Sequence, residues 1–185
     1  MPRWTYEGRS AVIDKYGHPV VYALTEPYMS YRAKVYKDVF FWTANIATPG
    51  ADTNLVWMRN TSPTKLLRLD LIQIYSSATA EIETFTGTGN TAGGSLVAGN
   101  NTYVGQPDDQ QALFYTQNTN VDAGAGMTNM GNFRIGATNE EELKVVGALT
   151  LPYDYEFAIN IITAAIANVK LNFMGFFDPP VDVIL

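Results

Sequence analysis

The sequence predicts an all-β chain folded as an antiparallel sandwich or barrel, and three observations predict it. Through the last third, apolar and polar residues alternate with a period of two, the pattern of half-buried strands. Clusters of Gly, Pro, Asn and Ser cut the chain into short segments. No segment carries the apolar spacing of an amphipathic helix of three turns, and no repeat of fixed period is present.

The elements follow in chain order. Residues 1–32 mix aromatics with breakers (Gly8, Gly17, Pro19, Pro27) and read as an extended arm, with one short strand at 20–24. Residues 35–43 are β-branched and aromatic and end at the turn Ala47-Thr48-Pro49-Gly50. A short strand at 55–59 stops at Asn60-Thr61-Ser62-Pro63-Thr64. A long strand at 66–75 slips in phase: Leu67, Leu69 and Leu71 share one face, while Ile72 and Ile74 fall on the other. Either both faces are buried there or a bulge near Leu71 shifts the register. Residues 79–86 read as its hairpin partner, and 87–94 as a loop. Short strands are expected at 95–97 and 112–115, and a long segment of weak periodicity at 116–138. Strands at 143–151, 155–161 and 169–177 close the domain at Asp178, and two prolines open the tail 179–185.

Composition narrows the function. The chain has 185 residues, enough for one domain with a real core. Charged residues are 16%, well below the usual quarter, so the surface is neutral-polar or partly covered by partners. Twelve basic and 18 acidic residues leave a net charge of −6, which disfavours duplex binding. The basic residues Arg32, Lys34, Lys37, Arg59, Lys65 and Arg68 read as solvated strand edges. The start of the chain lacks the apolar core of a secretory leader, and no apolar run is long enough for a spanning helix. No membrane partner is therefore expected, and synthesis is expected in a cytoplasm.

Chemistry-bearing residues are sparse. There is no cysteine, and His18, the one histidine, sits in a Gly-His-Pro turn away from any nucleophile motif. Asp108, Asp109 and Asp122 are the best oxygen donors for calcium, but their spacing matches no calcium loop, and no metal or cofactor is expected. Glu81 and Glu83 would stand side by side on one strand face, and Glu140 to Glu142 form a second acidic cluster; both read as solvated. No carboxylate is marked as desolvated, so no catalytic residue is assigned and no enzyme is expected. The glycines 87, 89, 93 and 94 do not form a phosphate cradle, because no helix follows them. Asn60-Thr61-Ser62 and Asn100-Asn101-Thr102 are formal glycosylation sequons. Trp42 and Trp57 read as core. Trp4, Tyr6, Tyr28 and Tyr31 lie outside the obvious strands, and with Pro179, Pro180, Val183 and Leu185 of the tail they are the interface candidates.

One longer pattern is familiar. Arg59-Asn60-Thr61-Ser62-Pro63-Thr64-Lys65 passes into the strand at 66–75, then Ala80-Glu81-Ile82-Glu83-Thr84-Phe85-Thr86-Gly87 and Thr91-Ala92-Gly93-Gly94-Ser95. The run ends in Tyr155-Glu156-Phe157-Ala158-Ile159-Asn160-Ile161 and the strand at 169–177. Over about residues 33–178 this resembles jelly-roll structural proteins of tailed bacteriophages, of the decoration, head-fibre or tail-accessory type. The resemblance implies a jelly-roll sandwich of about eight strands at 33–178, no catalytic residues, and a trimer or other ring on a virion. Its partners would be its own copies and other virion proteins. The aromatic arm and the Asn/Gly/Met-rich middle depart from that pattern. A carbohydrate- or receptor-binding sandwich is the alternative, and it requires exposed aromatics in loops.

Overall fold

In the computed structural model the described residues are 4–6, 9–13, 19–20, 37–103, 105, 111–119, 121, 126–137, 140–142, 149–163 and 166–178. Fifteen strands occur among them and no helix. β1 (Trp4–Tyr6), β2 (Arg9–Ile13) and β3 (Pro19–Val20) form a small antiparallel sheet. The sequence alone predicted one strand in that stretch.

The body is an antiparallel β-sandwich. Its long strands are β4 (Val39–Ala47), β5 (Thr53–Asn60), β6 (Leu66–Ser76) and β7 (Ala80–Gly87). Three pieces follow, β8 (Ser95–Leu96), β9 (Asn100–Asn101) and β10 (Ala112–Thr116). Then come β11 (Met127–Ile135), β12 (Glu140–Glu142), β13 (Leu149–Leu151), β14 (Glu156–Ile161) and β15 (Asn168–Asp178). One sheet runs β11-β7-β14-β5-β10-β8 and the other β12-β6-β15-β4-β9, with β13 also on the outer edge of β6. β12 and β13 occupy successive stretches of that edge, opposite Gln73–Tyr75 and Leu67–Leu69.

The pairing has a simple logic. β4 pairs β15, β5 pairs β14, β6 pairs β12 and β13, and β7 pairs β11, all antiparallel. These are the rungs of one long hairpin. Two further pairings, β6 with β15 and β7 with β14, roll that hairpin into two layers. Strand β6 is therefore not the hairpin partner of β7, as the sequence suggested. The corner at 77–79 carries the chain from one sheet to the other, because each strand finds its partner among those far along the chain.

Alternating residues fill the space between the layers. Trp42, Leu67, Ile72, Ile74, Leu171 and Phe173 come from one sheet, and Met58, Ile82, Phe114, Phe157, Ile159 and Ile161 from the other. Phe114 and Phe173 meet edge to face across the layers, with ring centroids 5.1 Å apart. The phase slip in β6 has its explanation here. Met174 lies opposite Leu71 and Gly175 opposite Leu69, so Asp70 is the extra residue of a bulge. Exposed Asp70 resets the phase, and Leu67, Leu69, Ile72 and Ile74 all reach the core. The segment 116–138, without clear periodicity, contains the nine-residue strand β11. Its alternation is weak because it is an edge strand, mostly exposed on both faces, with its own register shift between Asn129 and Gly131.

Gly175 sits at the bulge with no room to spare: a Cβ there would stand 2.5 Å from the Arg68 carbonyl oxygen and 3.0 Å from Leu69 Cδ2. Gly175→Ala is expected to lower stability by about 1–3 kcal/mol, as overpacking does, despite adding an apolar group. Urea unfolding of the two proteins checks this; equal midpoints would refute it.

Candidate functional site

The most heavily built feature outside the inter-sheet core is on the outer face of the β5–β14 sheet. Arg59 and Glu156 stand directly opposite on β5 and β14, and Ala158 stands opposite Trp57. Residues two apart on a strand share a face, so Trp57, Arg59, Glu156 and Ala158 form one patch. Trp57, Phe85 and Ala158 make a second apolar cluster, with Leu113, Tyr115, Val121 and Met127 packed around it. Trp57 is thus buried as the sequence predicts, but on the outside of its sheet.

Glu156 is fully buried. The alternation in the sequence placed it on a solvated face; the segment after β7 folds back and covers it instead. Its Oε2 accepts from Trp57 Nε1 at 3.1 Å and Asn90 Nδ2 at 2.7 Å. Its Oε1 accepts from Arg59 Nε at 3.2 Å, from Arg59 Nη2, and from the Asn90 backbone N–H at 3.1 Å. Arg59 Nη2 also donates to the Asn90 carbonyl, and the guanidinium lies 5.1 Å from the Trp57 ring centroid. Arg59 is therefore an internal partner and not the solvated edge cation its position in sequence implied. Gly87, opposite Glu156 on β7, has no room for a Cβ against the backbone of Gly126 and Met127, where β11 begins alongside it.

The chemistry of this carboxylate is clear from its surroundings. Burial pushes its pKa up, but hydrogen bonds from Arg59, Asn90 and Trp57, with the Arg59 charge, outweigh burial and hold it below the ordinary 4.5. A general acid needs the opposite, a carboxyl kept protonated by its surroundings. Glu156 is an anchor, ionised and saturated with donors.

The same cluster fixes the turn between β13 and β14. Arg59 Nη1 lies 3.4 Å from Asp154 Oδ1. Asp154 holds a left-handed φ of 64° and donates its N–H to the Asn60 carbonyl at 2.8 Å. Asn60 is fully buried and completes the turn. Its N–H donates to the Tyr155 carbonyl at 3.1 Å, and its Nδ2 donates to Leu151 and Lys65 carbonyls at 2.9 and 2.8 Å. Both amide hydrogens are used, so the sequon at Asn60 is closed to modification in the folded chain. The turn presents Tyr153 and Tyr155, 56% and 45% exposed, on either side of Asp154. The strand alternation had placed Tyr155 among the half-buried residues. It lies just before β14 and outside the layer.

A cleft of about 350 Å³ lies at the other end of β5, lined by Asp52, Thr53, Asn54, Gln117, Asn118 and Thr119. Its floor is already committed: Asn54 Nδ2 donates to the Val56 carbonyl and Asn160 Oδ1 at 2.8 and 2.9 Å, and Asn118 Nδ2 to the Thr91 carbonyl at 2.9 Å.

The residues singled out from sequence fare differently. Glu81 is exposed and Glu83 half-buried on β7, and no group of three or more metal-ligating side chains occurs among the described residues. The backbones of Trp4 and Tyr6 belong to β1 and that of Glu140–Glu142 to β12, but their side chains lie outside the described residues. His18, Tyr28, Tyr31, Asp108, Asp109, Asp122, Pro179, Pro180, Val183 and Leu185 also lie outside them. The sequence missed Glu156, Asn90 and Asn60. The one available signal was an acid directly ahead of an apolar run on β14, which alternation alone reads as solvent-facing.

Because the folded Glu156 pKa is depressed, its stabilisation is fully present above the ordinary value of 4.5 and is lost as pH falls through the lower folded value. Glu156→Gln is expected to cost about 2–3 kcal/mol at neutral pH, since a neutral amide removes the buried counter-charge of Arg59 and leaves it only the exposed Asp154. The variant should also lose part of the acid limb of stability. Denaturant melts of both proteins between neutral pH and pH 3 test this, and parallel pH profiles would show that Glu156 is not the group responsible.

No protein-family model matches the chain, and neither a curated protein nor a solved structure matches it.

Proposed function

We propose that the chain is a non-catalytic subunit of a virus particle, a jelly-roll domain of the decoration or accessory kind carried by tailed bacteriophages. The observation that carries the reading is the strand order. A long hairpin pairing β4 with β15, β5 with β14, β6 with β12 and β13, and β7 with β11, rolled into two layers, supports reading the sandwich as a jelly roll. Viral capsid proteins and lectins share that architecture. In this chain β8, β9 and β10 are an insertion between β7 and β11 that widens both sheets at one side.

Fold does not by itself carry function, so the balance between capsid and lectin rests on other features. Charged residues make up only 16% of the chain, as suits a surface partly covered by neighbours. Strand β11 is a nine-residue sheet edge whose single charge is Arg134 and which contains no proline. An edge of that length with a single charge invites edge-to-edge pairing, and closed symmetric assembly is one way to manage it. The one buried carboxylate described is held ionised and saturated, as a structural anchor is. Other copies of the chain, most simply as a trimer, and other virion proteins are then the partners, and the virion is the location.

Light scattering across a range of concentrations tests the assembly. A closed trimer whose mass does not change on dilution is the expected result, followed by co-sedimentation with particles. A monomer at every concentration that also fails to sediment with particles would overturn it.

A further inference from the structure

We propose that the turn between β13 and β14 is a recognition tip for a neutral saccharide, with Tyr153 and Tyr155 as the stacking surfaces and Asp154 as the hydroxyl acceptor. The inference does not depend on assembly into a particle, since a monomer that binds sugar would satisfy it.

The first observation is the exposure of two aromatic rings on a turn of four residues. Tyr153 and Tyr155 are 56% and 45% exposed, and neither side chain has a hydrogen-bond or ring partner among the described residues. Large rings left in water carry an unfavourable apolar surface, and a tyrosine joins such a face to a hydroxyl.

The second is the rigidity of their mounting. The Tyr155 N–H donates to the Pro152 carbonyl at 3.2 Å, and two further backbone bonds tie Asp154 and Tyr155 to Asn60, at 2.8 and 3.1 Å. Beneath them lies the Arg59–Glu156 pair, with Arg59 reaching up to Asp154. Asp154 is kept in the left-handed region, a conformation that costs a non-glycine residue and persists only where its surroundings impose it. A mobile turn would have to be ordered on binding, and this one is ordered beforehand.

The chemistry of the tip selects the ligand. Asp154 and the net charge of −6 disfavour an anion, including nucleic acid. A protein partner is recognised through a contiguous apolar patch with a packed centre. Here the neighbouring turn, tied to the tip through Asn60, offers exposed Pro63 and Thr64 with half-buried Lys65. What remains is two flat rings beside a carboxylate that is 58% exposed and bonded to Arg59 through one oxygen. A sugar ring has an apolar C–H face to lay on a tyrosine and neutral hydroxyls that donate to a carboxylate.

The test is an array of neutral mono- and oligosaccharides of glucose, galactose, mannose and N-acetylglucosamine, with sialylated and sulfated glycans beside them. The full chain is compared with Tyr153→Ala, Tyr155→Ala, the double alanine variant and the two Tyr→Phe variants. Retention of at least one neutral glycan is expected. Each alanine substitution should weaken it about tenfold, the double variant should lose it, and the phenylalanine variants should keep it. Both tyrosines are exposed, so thermal unfolding of every variant should overlay the parent, which separates loss of a site from loss of the fold. Binding to no neutral glycan, binding to anionic glycans alone, or undiminished binding by the double alanine variant would each overturn the proposal.

Discussion

The Arg59–Glu156 pair holds the outer face of this sandwich together. The interaction lies directly across β5 and β14, two central strands of one sheet, and its carboxylate is removed from water. A buried carboxylate is tolerable only when its charge and lone pairs are matched, and here Arg59, Asn90 and Trp57 supply the match. Each donor is then held in turn. Asn90 brings the segment after β7 down onto the sheet, Trp57 is locked into the outer apolar cluster, and Arg59 is free on its far side to reach Asp154. One ion pair therefore organises a covering segment, a second apolar cluster and a presented turn.

That arrangement explains why a two-layer sandwich has a third stratum. The inter-sheet core is an ordinary alternating core, but Trp57, Phe85 and Ala158 are apolar on the wrong side of their strands for it. Without the segments that lie over them they would be an exposed patch in the middle of a sheet face. The satisfied carboxylate lets polar backbone cross that patch without stranding donors, because the Asn90 N–H and carbonyl both find partners in the pair.

Buried asparagine serves the same end at the tip of the sandwich. Asn60 satisfies carbonyls from two turns with one amide, which lets chain segments far apart in sequence meet at one point, 91 residues apart in the case of Leu151. The turn it fixes displays tyrosines in place of burying them. Order at this end comes from hydrogen bonds to backbone, while order in the centre comes from packed rings and aliphatics.

Much of the architecture was legible in the residues. The period-two alternation through Phe157, Ile159 and Ile161 and through Val169, Leu171 and Phe173 determined strands with one face inward, because side chains of a strand alternate whatever the partner. The phase slip at Leu71 left two readings, burial of both faces or a nearby bulge, and the pairing with β15 decides for a bulge at Asp70. Tertiary structure alone decided which strands pair, because a strand's own pattern says it needs a partner and not which one; β6 turned away from its neighbour β7 to lie beside β15. It also decided the fate of Glu156, Asn60, Arg59 and Tyr155. Alternation assigns a polar residue to solvent by default. Only the three-dimensional meeting of Asn90, Arg59 and Trp57 makes burial of a carboxylate favourable, and those residues lie 66, 97 and 99 positions from Glu156 in the chain.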